Sequence, residues 1–565
     1  MLLALTLVSS CAEVFSIGAV LPLLGVLSSP EQVFAHEVAK PLIQAMGIST
    51  ARELLLPVTM IFCAATLGAA AARALVIWLR TRLTFAIATD LSTEIFFRTL
   101  HQSYDVHLSR NSSEVIDAIS SKVNEVIFGV VNPMVAIASN GLMLAAILLV
   151  LLLHQPLITM VGFGGFGLIY LAIYKLSQAR LKVNSQDMAE CSTQRIKTLQ
   201  ESLGGIRDVL LDHSQAVHCA TYKRADSIMR RAQSDNSTTY ELPRYAVEAL
   251  GMCLIALLAF SLERQSNGFQ VALPVIGGLA VAAQRLLPLI QQIYHAFASL
   301  SGNDQSLHDT LSFLEQPLPE RATRAKGPPM PFAHNIECQQ LGFRYRAEGP
   351  WVLHDLNLTI PKGARIGFIG NTGSGKSTLL DILMGLLQPS AGLLLVDGQI
   401  VTEANSLSWQ SRITHVPQAV YLSDASFAEN IAFGVQRELI DMVRVRKAAA
   451  QAQIDETIQQ MVLGYQTMIG ERGVRLSGGQ RQRVGIARAL YRQADVLVFD
   501  EATSALDTET EQAVMQAIDN LHGDLTVLIV AHRLTTLKSC DFIVELASGT
   551  ISRSGDFQTI VTTSV

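Results

Sequence analysis

The sequence predicts a multidomain membrane protein, in which an all-α domain of six membrane-spanning helices is followed by an α/β domain. Three observations support this prediction. Hydrophobic residues make up 49% of the 565 residues and charged residues only 16%, whereas soluble proteins carry roughly 25% charged residues. Apolar runs long enough to span a membrane lie in the first half of the chain. Short β-rich runs alternate with helical runs in the second half.

Six segments have the roughly 20 mostly apolar residues that a membrane-spanning helix needs. Two long polar stretches, 80–125 and 176–244, separate the second span from the third and the fourth from the fifth, and they carry most of the basic residues of this half. The positive-inside rule places both stretches and both chain ends in the cytoplasm. We expect the stretches to be helices that continue out of the membrane and turn back. The predicted spans are 2–27, 53–79, 126–153, 156–175, 245–262 and 269–297.

A proline-rich segment separates the two predicted domains. Residues 315–331 contain five prolines and several charges, which is typical of a linker. We therefore predict a transmembrane domain at 1–314 and a second domain at 332–565. The β-rich runs of the second domain are separated by helices, which predicts a parallel sheet covered on both faces. These runs are Ala364–Ile369, Val496–Phe499 and Leu525–Val530.

Charge and cysteine content argue against a nucleic-acid partner and against a cysteine-based site. The formal net charge is −5, which is small for this length and gives no reason to expect a nucleic-acid partner. The seven cysteines are scattered without a CxxC pair, which argues against a disulfide framework or a zinc site. Residues that bind ligands or catalyse a reaction are therefore expected in other motifs.

A phosphate-binding loop lies near the start of the second domain. Residues 370–378 fit the pattern G-x-x-x-x-G-K-[ST], after a strand-like run and before the helix-like run Leu379–Leu387. Glycines let backbone N–H groups curl around phosphate oxygens, and the helix N-terminus adds partial positive charge. Lys376 is predicted to reach the β- and γ-phosphates and Ser377 to bind Mg²⁺. The loop residues are Gly370, Asn371, Thr372, Gly373, Ser374, Gly375, Lys376, Ser377 and Thr378.

A second motif supplies carboxylates for the same chemistry. The apolar run Val496–Phe499 ends in two acids. Asp500 is placed to bind Mg²⁺ directly or through water. Glu501 is placed to polarise the attacking water as a general base. Many buried strands end in an acid, but together with the phosphate-binding loop this pattern predicts hydrolysis of a nucleoside triphosphate.

The run Leu476-Ser477-Gly478-Gly479-Gln480 matches the LSGGQ signature of ATP-binding cassette (ABC) proteins, and the chain resembles that family. The resemblance implies a P-loop nucleotide-binding domain with ATP and Mg²⁺ as cofactors. Further family motifs follow in order along the chain. Tyr345 resembles the aromatic residue that stacks on adenine, Gln418 the Q-loop glutamine that contacts Mg²⁺, Asp507 the D-loop aspartate, and His532 the switch histidine that contacts the γ-phosphate.

Two details resemble the exporters of this family, known as type I ABC exporters. The membrane domain precedes the cassette on one chain, and Gly470–Gly473 resembles the exporter X-loop. In this family the signature of one cassette closes over the nucleotide held by the P-loop of another. The resemblance therefore implies that two chains meet, as a homodimer or as a heterodimer with a sibling half. It also places the coupling helices that dock on the cassettes near Asn111–Ile119 and Asp212–Tyr222, for which the alternative is solvated turns.

Arg285, with Gln284 and Gln292, is the sequence-based candidate for a substrate cavity. Charge inside a membrane is costly and usually faces the bundle interior or a water-filled cavity. A helix that presents an arginine and amides suits an anionic, hydroxyl-rich substrate. The alternative is structural, in that Arg285 pairs with a carboxylate such as Glu13 or extends its charge to the membrane surface.

Short stretches of the first and last spans resemble bacterial flippases of lipid-linked oligosaccharides. They are Glu13-Val14-Phe15-Ser16-Ile17 and Gln284–Pro288. This resemblance implies ATP-driven flipping, across the bacterial inner membrane, of an amphipathic substrate: a lipid-linked oligosaccharide or polysaccharide precursor that carries a pyrophosphate. The alternatives within the class are a lipid, drug or peptide exporter. An alternative of another class is an ATP-gated channel or a regulatory ABC subunit, which would not need Glu501 and His532.

Overall fold

The computed structural model separates into two compact units. The first comprises Met1–Leu100 and Arg110–Pro317, and the second comprises His101–Ser109 and Leu318–Val565. We describe each unit by itself. The structure describes residues 2–28, 30–35, 50–154, 156–265, 269–319, 322, 327–500, 508–519, 524–530 and 534–562.

The first unit is built from helices, and each of the six predicted spans falls on helical residues. Two π-helical turns, Ala118–Lys122 and Ile127–Val131, interrupt the helix that carries the third span. The helices are α1 (Leu2–Gly18), α2 (Val20–Ser28), α3 (Pro30–Ala35), α4 (Leu55–His101), α5 (Tyr104–Ser109, grouped with the second unit), α6 (Ser112–Asp117), α7 (Val123–Val126), α8 (Asn132–His154), α9 (Pro156–Gly204), α10 (Ile206–Leu211), α11 (Gln215–Gln265), α12 (Phe269–Gly302) and α13 (Asp304–Leu314).

Length and apolar surface mark the membrane-crossing part of this unit. In the described residues, the helices Leu55–His101 and Ser112–Leu153 are long and apolar enough to cross a membrane, and Ala4–Ser16 is a shorter apolar helix. On α4 the large side chains of Leu56, Met60 and Leu67 are exposed. An apolar stripe on the outer face of such a long helix is expected where lipid replaces water as the solvent.

The long helices pack through a buried aromatic and aliphatic cluster. Phe166 and Tyr170 of α9 lie against Val247 of α11 and Ile290 and Tyr294 of α12. The Tyr294 hydroxyl donates to the carbonyl oxygen of Thr239 at 2.8 Å, which satisfies a polar group inside the bundle. The helix α9 begins at Pro156, because proline is favoured at the first position of a helix, where its missing N–H costs nothing.

The second unit is an α/β unit with two sheets in its described part, in the strand orders β2-β1-β4-β5 and β10-β9-β3-β8-β7-β6. In the second sheet, β9, β3, β8, β7 and β6 are parallel, as predicted, and β10 is antiparallel to β9. The strands are β1 (Asn335–Phe343), β2 (Leu353–Pro361), β3 (Arg365–Ile369), β4 (Ala391–Val396), β5 (Gln399–Ile400), β6 (Ile413–Val416), β7 (Val496–Asp500), β8 (Thr526–Val530), β9 (Phe542–Ala547) and β10 (Thr550–Gly555).

Alternate residues of the central strands enter different cores. On β7, Val496 and Val498 join one buried cluster, and Leu497 and Phe499 join another. Both faces of the parallel sheet are therefore covered, as the continuous apolar runs predicted. The helices are α14 (Lys376–Leu383), α15 (Ser406–Gln410), α16 (Phe427–Ile431), α17 (Met442–Gln451), α18 (Asp455–Gln459), α19 (Gly478–Arg492), α20 (Thr508–Asp519) and α21 (Phe557–Thr562).

The predicted fold class is therefore confirmed, since a helical membrane unit is followed by an α/β unit. One boundary differs from the prediction. The helix after the phosphate-binding loop was expected at Leu379–Leu387, but α14 begins at Lys376 and ends at Leu383. It ends there because the chain turns at Gly385, whose φ is +67°.

Candidate functional site

The parallel sheet brings the ends of four motif-bearing strands to one edge. Phe368 of β3 and Asp500 of β7 both lie level with Val530 of β8, in the strand between them. The phosphate-binding loop leaves β3 two residues later, and Gln418 lies two residues past the end of β6. In parallel α/β sheets this carboxyl edge is where ligands bind. The topology thus assembles motifs that lie more than 100 residues apart.

The loop itself has the backbone that a phosphate cradle needs. Gly370, Gly373 and Gly375 have φ angles of +145°, +83° and +99°, in the region that favours glycine. At Gly375 a β-carbon would also lie 2.6 Å from Leu353 Cδ2. The helix α14 starts directly after this glycine. Its first N–H groups therefore face the loop, and they form an anion-binding helix terminus.

Polar side chains complete the cradle. The Lys376 ammonium donates to the carbonyl oxygens of Gly370 at 2.7 Å and Asn371 at 3.0 Å. Ser374 Oγ is buried and, among the described residues, has no hydrogen-bond partner. A buried hydroxyl without a partner is costly, and a phosphate oxygen would satisfy it. The loop residues therefore fit the triphosphate of ATP.

The candidate adenine and metal residues surround this loop. The Tyr345 ring is 51% exposed, and its hydroxyl lies 3.0 Å from Thr378 Oγ1 in the first turn of α14. Ser377 and Gln418 are exposed, and Asp500 is half-buried at the end of β7. The structure therefore brings Tyr345 and the loop together. Glu501, Asp507 and His532, predicted for catalysis and the D-loop, lie outside the described residues.

Sequence reasoning missed Asp381, an acid near this site. It lies on α14, and burial together with the charge of Asp500 raises its pKa to about 6. Tyr104 of α5 packs against the cluster that contains Leu380, and burial and the charges of Asp381 and Tyr345 raise the pKa of Tyr104. The signal for Asp381 was an acid in the otherwise apolar run Leu379–Leu387.

The signature sequence forms a helix N-terminus. Ser477 caps α19 in a reciprocal arrangement with Gln480, in which each side chain accepts a hydrogen bond from the other residue's backbone N–H, at 3.3 and 2.9 Å. Ser477 is exposed, and Gly478, Gly479 and Gln480 are half-buried. An exposed, capped terminus of a 15-residue helix can offer N–H groups to an anion held by another chain.

The first unit contains a cavity of about 1060 Å³ between helices α1, α4, α8, α11 and α12. Gln284 and Gln292 line it, and Asn140 Nδ2 donates to Gln292 Oε1 at 2.9 Å. The side chain of Arg285 lies outside the described residues. Three other arginines line the wall instead, together with amides, hydroxyls and aromatic rings: Arg73, Arg80 and Arg244.

Glu13 is the buried carboxylate that we expected as one possible partner for Arg285. Its Oε1 lies 2.7 Å from Nη2 of Arg73. Because the side chain of Arg285 lies outside the described residues, a pair between Glu13 and Arg285 stays a prediction. Hydropathy could not reveal Arg80 and Arg244 as lining residues, because both lie outside the predicted spans, in the polar stretches.

The chain matches two protein families and is similar to proteins of known description. Residues 2–262 match the family described as ABC transporter transmembrane region, and residues 353–504 match the family described as ABC transporter. An ATP-dependent lipid A-core flippase of Cupriavidus metallidurans is 27% identical over 497 residues, 86% of this chain and 81% of that protein. A protein of the same description from Burkholderia thailandensis is 28% identical over 508 residues, 88% of this chain and 84% of its own length.

A mouse protein and a solved structure extend the comparison. The mouse ATP-binding cassette sub-family B member 5 is 41% identical over 229 residues, which are 40% of this chain and 18% of the mouse protein. The solved structure of a bacterial Atm1-family ABC exporter with ATP bound aligns with a TM-score of 0.78 at 24% identity. It covers 98% of this chain and 96% of that one, so the two share the whole fold.

Proposed function

This chain belongs to the ABC transporter family, as an exporter half in which ATP hydrolysis drives transport, and we propose that it flips a lipid-linked oligosaccharide across a bacterial inner membrane. The observation that carries the proposal is the cavity of the first unit, which combines arginines, amides and aromatic rings. Together the two family matches cover more than half of the chain.

The cavity suits a headgroup that is both charged and rich in hydroxyls. Arg80 supplies positive charge on the described lining, whereas Arg73 and Arg244 are paired with Glu13 and Glu248. Glu241 is the acid on that lining. The amides of Asn132, Asn140, Gln284, Gln291 and Gln292 can donate to and accept from sugar hydroxyls. At about 1060 Å³ the cavity reaches the upper end of the roughly 300–1,000 Å³ of small-molecule sites. A headgroup of several sugars on a pyrophosphate fits these features.

A lipid tail is the other half of the proposed substrate. The outer face of α4 is apolar, and the relatives named as lipid A-core flippases act on a lipid. A tail that stays in the bilayer needs no enclosed pocket, because lipid is as apolar as the protein interior. An amphipathic substrate therefore matches a polar cavity inside an apolar bundle better than a soluble one does.

The second unit would supply the driving reaction. We propose that residues 370–378 hold the triphosphate, that Ser377, Gln418 and Asp500 hold Mg²⁺, and that Tyr345 stacks on the adenine. When bound, Mg²⁺ would neutralise charge on the β- and γ-phosphates. Glu501 would polarise the attacking water and His532 would contact the γ-phosphate. Lys376 would exchange its loop carbonyl partners for phosphate oxygens.

We further propose that two copies of this chain work together. Each chain carries one phosphate-binding loop and one signature at the start of α19. The signature residues Ser477–Gln480 and Asp507 of one copy would close on the nucleotide held by the other, with both chain ends and residues 332–565 in the cytoplasm. A sibling half in place of the second copy is the alternative. Copurification of two differently tagged copies of this chain would distinguish the two.

The substrate proposal is tested by stimulation of ATP hydrolysis in phosphatidylcholine nanodiscs. A lipid-linked oligosaccharide, a lipid A-type glycolipid and an added phosphatidylethanolamine are titrated separately, with Glu501→Gln as the blank. We expect saturable stimulation by the lipid-linked oligosaccharide at the lowest concentration. Stimulation by the lipid A-type glycolipid alone would keep the transporter assignment and replace the substrate. Stimulation by none of the three lipids would contradict a lipid substrate.

A further inference from the structure

The three arginines on the described cavity wall differ in their partners. Arg73 pairs with Glu13 at 2.7 Å, and Arg244 Nε pairs with Glu248 Oε1 at 2.8 Å. Arg80 forms no ion pair with any described residue. Its Nε, like that of Arg73, is buried without a hydrogen-bond partner in the described part of the chain. Two of the three positive charges are therefore already neutralised by the protein, and one is not.

The buried Nε–H of Arg80 is unfavourable unless an acceptor binds it. Burial of a charged N–H group without a partner costs more than burial of a neutral one. The guanidinium carries five donors in a planar fork that matches the oxygens of a phosphate. We propose that Arg80 is the anion contact of the cavity and binds the phosphate of the substrate headgroup, while Arg73 and Arg244 are held by their carboxylates.

The position of Arg80 on α4 indicates from which side of the membrane the substrate headgroup reaches it. The cavity-lining residues Thr66, Arg73, Val76, Ile77 and Arg80 recur at helical spacing, so they form one face of α4. Arg80 lies two turns beyond Arg73, a rise of about 10 Å. It also directly follows the predicted span 53–79, at its cytoplasmic end. A headgroup that arrives from the cytoplasmic side therefore meets Arg80 before it meets the Glu13–Arg73 pair.

This inference rests on the proposed function, because it names the group of the substrate that the cavity recognises. The probe is a polyprenyl pyrophosphate, and polyprenol of the same chain length is the neutral reference. Each is titrated into the full-length protein in phosphatidylcholine nanodiscs, and the half-saturating concentration is read from the shift in Tm. We expect the wild-type protein to respond to the pyrophosphate and not to the polyprenol.

The decisive variant is Arg80→Gln, and Arg244→Gln is the comparison because its charge is already paired. Loss of a charge-assisted contact weakens binding about tenfold or more, so Arg80→Gln should raise the half-saturating concentration by that factor. Arg244→Gln should change it about threefold or less. Arg80→Lys keeps the charge but not the fork, and should fall between Arg80→Gln and wild type. Equal half-saturation for wild type and Arg80→Gln would overturn the proposal.

A structural role for Arg80 predicts a different result. Removal of this half-buried charge, which has no ion pair among the described residues, should leave the ligand-free Tm unchanged or raise it, because no described ion pair is lost. If Arg80→Gln lowers that Tm and leaves the affinity unchanged, the residue is structural and the proposal is wrong.

The proposal and the proposed function can fail separately. If the pyrophosphate binds through Arg80 but lipid-linked oligosaccharide is not transported, the anion contact stands and the substrate is wrong. If Arg80→Gln transports the oligosaccharide as well as wild type does, the function stands and the anion contact is wrong.

Discussion

Arg73 of α4 and Glu13 of α1 form an ion pair in the cavity wall, with 2.7 Å between Arg73 Nη2 and Glu13 Oε1. The two partners differ in exposure, because 39% of the Arg73 side chain is accessible and only 1% of Glu13. Loss of a cation destabilises a buried carboxylate more than loss of a carboxylate destabilises an accessible cation, because the cation still reaches the polar cavity. The pair therefore joins two helices and fixes where Arg73 presents its charge.

The first prediction follows from this asymmetry. Arg73→Met should lower the free energy of unfolding by about 3 kcal/mol, since it removes a cation from a buried carboxylate. Glu13→Gln should cost less, because Arg73 keeps access to the cavity. The double variant should recover most of the loss, which thermal unfolding of the detergent-solubilised protein measures. A double variant as unstable as the sum of the two single variants would show that the residues do not interact.

The second prediction concerns the phosphate-binding loop. Gly375→Ala should abolish ATP binding and destabilise the second unit, because the new β-carbon would lie 2.6 Å from Leu353 Cδ2 and 3.0 Å from the Val352 carbonyl oxygen. Gly373→Ala is the control, since Gly373 also has positive φ but nothing lies within 4 Å of its β-carbon position. It should cost only about 1 kcal/mol of backbone strain. Equal loss of nucleotide binding in both variants would contradict the steric explanation.

The third prediction concerns the proposed general base. Glu501→Gln should leave ATP binding intact and nearly abolish hydrolysis, because the amide keeps the shape of the carboxylate but cannot accept the proton. Nucleotide binding and phosphate release are measured on the same preparation. Hydrolysis at the wild-type rate would assign the base to another residue.

The fourth prediction concerns a buried network at the start of the third span. Lys122 is almost buried and contacts both Asp309 and Asp117, which lies 3.8 Å away and is fully buried. Lys122→Met should destabilise the first unit by about 3 kcal/mol. Lys182, which pairs with Asp304 at 3.7 Å but is 55% exposed, is the control. Lys182→Met should cost about 1 kcal/mol or less. Similar losses in unfolding free energy would remove the special role of the buried network.

Much of the structure could be predicted from the sequence, because the patterns that indicate it are local. Runs of apolar residues fixed the predicted spans, and each falls on helical residues. The loop at 370–378 and the strand before Asp500 have the predicted context. The family, the fold class and ATP-driven transport are confirmed by the family matches and by the described fold.

The rest depends on which faces of helices meet, and that is not a local property. Hydropathy ends the second span at 79 and predicts a cytoplasmic position for Arg80, although this residue lines the cavity. The pair of Glu13 with Arg73 could not be predicted, because several arginines follow Glu13 in sequence and only helix packing brings this one to 2.7 Å. The coupling turns near Asn111–Ile119 and Asp212–Tyr222 stay a prediction, because docking between two domains is not a local property of the sequence either.

The most direct test of the central claim is translocation of a fluorescent lipid-linked oligosaccharide in proteoliposomes supplied with ATP, with Glu501→Gln as the blank. Fluorescence that becomes protected from an added quencher reports the flipped fraction. We expect ATP-dependent protection with the wild-type protein and none with Glu501→Gln. Intact ATP hydrolysis without any translocation of this lipid would contradict the proposed substrate, and equal translocation by both proteins would contradict coupling to hydrolysis.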